Sequence, residues 1–79
     1  MRMNRNNREY ENGCSSGISF GNLHSLYQTK KYESEMKRLV RTMRKNNKLF
    51  SQDEYDYICG VRDGLTSQVK QNQKCVKRR

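Results

Sequence analysis

Proline, tryptophan and alanine are absent from the 79 residues, and phenylalanine occurs twice. A chain with 32% hydrophobic residues and so few large apolar side chains can build only a thin core. A domain this short buries about 60% of the surface its unfolded chain exposes, so its stability is marginal without help. No apolar run approaches the roughly 20 residues that cross a bilayer, and the opening MRMNRNNREYENG holds no apolar segment of the signal-peptide kind. Membrane partners and secretion are therefore not expected.

Cysteine is sparse and oddly counted. Cys14, Cys59 and Cys75 stand far apart, with no CxxC, which excludes a disulfide framework and points to a reducing, cytoplasmic setting. With His24 they could offer four soft ligands, but none stands at the two-to-four residue spacing that preforms a zinc site. The chain has one histidine, no nucleophile elbow and no phosphate-cradling glycine loop, so neither a cofactor nor an enzyme is expected. The missing Ala and Pro, beside eight Asn and eight Lys, suit an AT-rich coding sequence such as that of a phage or mobile element.

What the chain does have is charge, sorted by segment. Residues 30–50 carry eight cations against two anions, a local balance of +6, and residues 51–64 carry −3. The remainder after residue 64 restores +5, within a net charge of +9. Basic, acidic and basic blocks in series indicate a protein that works by surface electrostatics.

The strongest periodicity covers residues 30–46. Tyr32, Met36, Leu39, Val40 and Met43 recur at i, i+4, i+7, i+8 and i+11, which gathers them onto one helix face within an arc of roughly 100°. The cations fall opposite, Glu33 and Lys37 stand at i, i+4, and no Pro or Gly interrupts. Leu23, Leu26 and Tyr27 are out of phase with this face, so a break near residues 28–29 and a separate short helix at 22–28 are expected. Ser51-Gln52-Asp53-Glu54 matches a capping box, with Phe50 and Tyr55 placed for a hydrophobic staple. The acidic residues after Ser51 complement the positive end of a helix dipole. Behind that start, Tyr55, Ile58, Cys59, Leu65 and Val69 share a face with the stem of Arg62. The spacing predicts a second helix over 52–70, with Asp63-Gly64 as a candidate interruption.

The expected fold is thus all-α. It is a small hairpin of two antiparallel helices (30–46 and 52–70), with a flexible polar arm at 1–17, a helical domain at 18–71 and a basic tail at 72–79. Gly17 to Gly21 alternates apolar and polar and would suit a short strand. Two helices bury one seam only, so a homodimer completing a four-helix bundle is expected.

For function, the basic helix face is the sharpest feature. Lys30, Lys37, Arg38, Arg41, Arg44, Lys45 and Lys48 form a stripe about 27 Å long, suited to phosphates along DNA or RNA. Arg2, Arg5 and Arg8 at one end, and Lys74, Lys77, Arg78 and Arg79 at the other, would add nonspecific charge, and Tyr10 and Tyr27 could stack on bases. The expected function is a small, basic, non-enzymatic nucleic-acid-binding regulator. The alternative is a protein-binding inhibitor or adaptor, of phage origin, that docks on an acidic surface of a host enzyme. Tyr57, Gly60 and Gly64, at G-x-x-x-G spacing and away from the apolar seam, are the candidate protein contact, since close approach of another backbone would offset two helical glycines. The order strand, helix, loop, helix in a small basic chain resembles that of ribbon-helix-helix DNA-binding proteins, with residues 17–21 as ribbon and Ser51 as a phosphate anchor. The separation of ribbon from helix by residues 22–29, and the acids after Ser51, set this chain apart from that pattern.

Overall fold

The structure, a computed structural model, describes residues 7–77 and the side chains of residues 7–72. Three helices follow one another: α1 (Arg8–Leu23), α2 (Leu26–Lys45) and α3 (Gln52–Lys77). The all-α class holds, and the pairing of α2 with α3 matches the expected hairpin. The number of helices does not match.

Residues 8–17 are not an arm, and residues 17–21 are not a strand; both belong to α1. Asn7 starts that helix, its Oδ1 accepting from the Glu9 amide at 2.8 Å, with Glu9 and Glu11 in the first turn where the helix dipole favours them. The proposed short helix at 22–28 is split instead. Asn22 and Leu23 close α1, His24 and Ser25 form the turn, and Leu26 opens α2. Ser25 is the reason for the early start. Its Oγ accepts from the Gln28 amide, and the Gln28 side chain returns to the Ser25 amide, forming a second capping box. The phase break lies at that turn, so α2 is continuous through 28–29. Residues 1–6 of the expected arm lie outside the described residues.

α1 packs along α3 through glycine. The chain's five glycines, Gly13, Gly17 and Gly21 on α1 and Gly60 and Gly64 on α3, are all buried. None has a positive φ, so none is present for backbone freedom. They supply space. A Cβ on Gly17 would come within 2.5 Å of the Val61 carbonyl oxygen, one on Gly13 within 2.9 Å of the Val61 amide, and one on Gly60 within 2.9 Å of the Cys14 amide. Gly13 opposes Tyr57 and Val61, Gly17 opposes Val61 to Leu65, and Gly21 opposes Gln68, so the two helices run parallel. Each interior glycine costs about 1 kcal/mol against alanine. Backbone-to-backbone contact along the seam offsets that cost through dispersion between closely packed atoms.

α2 returns antiparallel along another side of α3. Val40 and Met43 pack with Tyr55 and Cys59, while Met36 packs with Val61 and Leu65. Leu39 and Tyr32 sit half-buried at the margin, as does Ile58. At roughly 1.5–3 kcal/mol per fully buried aliphatic side chain, these clusters are the main apolar stabilisation available. The expected start of α3 is present: Ser51 Oγ accepts from the Glu54 amide at 3.1 Å, Glu54 Oε1 accepts from the Ser51 amide at 2.9 Å, and Phe50 packs on the cluster containing Tyr55. Gly64 does not interrupt α3, which runs beyond residue 70 through most of the segment expected as a tail. α3 is therefore buried on two sides, and α1 occupies the side for which a second copy had been invoked. The bundle argument for a homodimer loses its basis.

Polar ties join the helices at their ends. Asp56, fully buried, accepts from Asn7 Nδ2 at 2.7 Å and from Gln52 Nε2 at 2.9 Å. Among the described residues, every buried side-chain nitrogen and oxygen has a hydrogen-bond partner.

Candidate nucleic-acid interface

The apolar stripe of α2 faces α3, so its basic stripe must face outward. Lys30, Lys37, Arg38, Arg41, Arg44, Lys45 and Lys48 are all exposed, and so is Lys31. They do not form one uniform surface. Lys37, Arg41 and Arg44 line a groove of about 400 Å³ between α2 and α3, floored by Val40. Arg62, Asp63 and Thr66 of α3 form its other wall. Lys30, Arg38, Lys45 and Lys48 lie outside this lining.

The groove holds its cations in place. Arg44 Nε donates to the Tyr55 hydroxyl at 2.8 Å, and Tyr55 is fully buried. This bond holds the guanidinium still further into its charged range. Across the groove, Arg62 meets Asp63 Oδ1 through Nε and Nη2, each at 3.0 Å. The second oxygen of Asp63 accepts from the Tyr10 hydroxyl of α1. Burial, then the bond to Asp63, push the Tyr10 phenol well above its ordinary value, so it remains a donor. Asp63 is thereby held by two donors, its charge and that of Arg62 offset one another, and the other cations lining the groove are Lys37, Arg41 and Arg44 of α2. At the other end Lys37 pairs with Glu33 at 3.6 Å, and Glu33 also accepts from the Thr66 hydroxyl. Arg41, between them, makes no ion pair among the described residues.

Arg62 and Tyr55 were not expected as parts of the site, and Tyr10 was expected there as a stacking ring and not as a donor to Asp63. Arg62 is the sole cation of the acidic block and had been assigned to the apolar seam through its stem. Tyr10 packs against the cluster of Val40, Met43, Tyr55 and Cys59 with its hydroxyl on Asp63, whereas Tyr27 is 74% exposed. Of the terminal cations, Arg8 is exposed at the first residue of α1; Arg2, Arg5, Lys74, Lys77, Arg78 and Arg79 lie outside the described side chains.

The second candidate surface changes its meaning. Gly60 and Gly64 do admit a close backbone, but it is α1 of the same chain at Tyr10 and Cys14. Tyr57 is half-buried, its hydroxyl 2.9 Å from Ser16 Oγ. No foreign helix can reach these glycines while α1 is docked.

No three His, Cys, Asp or Glu side chains among the described residues gather as a metal site. His24 stacks on Phe20 at 3.8 Å, and burial pushes the Cys59 thiol up, which keeps it protonated. No helix is long and apolar enough to cross a membrane among those described. Compared with protein-family models, with curated proteins and with solved structures, the chain matches none.

Proposed function

We propose that the protein is a small, non-enzymatic regulator that binds the phosphate backbone of a nucleic acid in the groove between α2 and α3. The observation that supports this reading is the convergence of Lys37, Arg41 and Arg44 with Arg62 across one polar cleft, two of the arginines already oriented by tyrosine-anchored bonds. Arginine's planar fork suits phosphate oxygens, and ordering it in advance removes part of the entropy cost of binding. The cations outside the groove extend the contact along the strand. Base edges are not read in this scheme, so affinity is expected to depend weakly on sequence.

A mobility-shift titration against duplex DNA and single-stranded RNA tests it. Log affinity should fall linearly with log salt, with a slope near −0.9 for each phosphate contacted on a duplex and about −0.7 on a single strand. The triple variant Lys37→Glu, Arg41→Glu, Arg44→Glu should abolish the shift. Absence of a shift with either polymer at low salt refutes the proposal. The same cations would then be assigned to an acidic protein surface, recognised as a partner that persists after nuclease treatment.

A further inference from the structure

A second concavity, of about 510 Å³, opens where the first turns of α1 and α3 meet the C-terminal half of α2. Its floor is apolar, formed by Leu39, Met43, Phe50 and Ile58 with the ring of Tyr57. Its rim is acidic: Glu9 from α1, with Asp53 and Glu54 from α3, and no cation among the lining residues. In a chain of net charge +9 this is the wrong lining for a phosphate and a suitable one for an apolar body carrying positive charge.

This chain presents such a body at its opposite end. α1 ends and α2 begins at a two-residue turn, and there Leu23 is 79% and Tyr27 is 74% exposed. Lys30 and Lys31, both exposed, stand three and four residues after Tyr27 and so share its side of the helix. The corner lies at the start of α2, and the groove is lined by that helix's later residues, so one molecule cannot fill its own groove. We propose that the groove takes a second copy of this chain, docked head to tail through its Leu23–Tyr27 corner. Leu23 and Tyr27 cover the apolar floor, while Lys30 and Lys31 meet the acidic rim. Knob and groove are different surfaces, so the contact is heterologous and repeats into chains or rings instead of closing as a symmetric pair. A contact made by two apolar side chains and two cations is small, so association is expected to be weak and concentration-dependent.

Sedimentation equilibrium of the pure chain, in reductant to exclude cross-linking through the half-buried Cys14 and at about 0.15 M salt to screen the net charge, is the test. Over roughly 10–500 µM the mean mass should rise above the monomer value of 9.5 kDa. Leu23→Glu with Tyr27→Glu removes the knob at exposed positions and should leave a folded monomer. Asp53→Lys places a cation on the rim, lowering its charge from −3 to −1, and should do likewise; if circular dichroism shows that it has lost helix, Glu9→Lys replaces it. Mixing the knob variant with the rim variant leaves one good knob and one good groove, so the mixture should form a 1:1 pair and nothing larger. A wild-type chain that stays monomeric throughout, a knob variant that associates like wild type, or a mixture that remains monomeric would each overturn the proposal. None of these measurements involves nucleic acid, so they stand apart from the test of the phosphate groove.

Discussion

The two sides of α3 are held by opposite means. Toward α2 the contact is made by interlocking side chains, Met36, Val40 and Met43 against Tyr55, Cys59 and Leu65. Toward α1 it is made by the absence of side chains at five glycines, which lets the two backbones approach. The first seam can redistribute volume among several neighbours. The second cannot, because what an added methyl would meet at Gly13, Gly17, Gly60 or Gly64 is a carbonyl or amide of the facing helix. A glycine seam is therefore stiffer in its requirements while being almost invisible to hydropathy.

The largest expected effect lies on that side. Gly60→Val should undock α1 and cost more than about 4 kcal/mol in urea denaturation, beyond the usual range for overpacking. An exposed helical glycine would instead gain from such a replacement, so an unchanged or raised midpoint would erase the contrast between the seams. On the other side, Leu65→Ala should cost about 3 kcal/mol, with α1 still docked by circular dichroism. Tyr55→Phe should be milder. It removes one hydrogen bond worth about 1 kcal/mol and frees Arg44, so nucleic-acid affinity should fall several-fold at an unchanged salt slope. A changed slope would mean that Tyr55 does more than orient one arginine. The smallest effect concerns pH. Tyr10 and Cys59 have folded values raised above their ordinary 10.0 and 9.0, so the unfolded chain loses these protons first. Their contribution is fully present below about pH 9 and declines as pH rises further. Tyr10→Phe should flatten the upper part of that decline, measured as the melting temperature between pH 8 and 11.

The α2–α3 hairpin could be read from residues because its stabilisation is periodic and apolar. Ser51 with Glu54 also announced its helix start by spacing alone. Ser25 with Gln28 forms the related S-x-x-Q box, but Leu23, Leu26 and Tyr27 share a phase across it, which masks the real turn as a short helix. α1 was missed for a different reason. Tyr10, Ile18, Phe20 and Leu23 form no continuous apolar stripe, and glycines at 13, 17 and 21 read as loop punctuation unless their four-residue spacing is matched to Gly60 and Gly64. The cations of α2 were legible as a face. Their gathering into a groove was not, because Arg62 and Tyr55 come from α3 and Tyr10, which holds Asp63 beside Arg62, comes from α1.

Asn7 uses the two atoms of one amide for two different tasks. Its oxygen starts α1, and its nitrogen reaches the buried carboxylate of Asp56. With three glycines inside it, α1 is a poor helix in isolation, disfavoured by about 3 kcal/mol relative to an alanine-bearing equivalent. Initiation and docking therefore depend on each other. α1 is expected to form after the α2–α3 hairpin, whose contacts are nearer in sequence. In native-state hydrogen exchange α1 should open as a unit ahead of α2 and α3, giving the molecule a step of partial unfolding built around one asparagine.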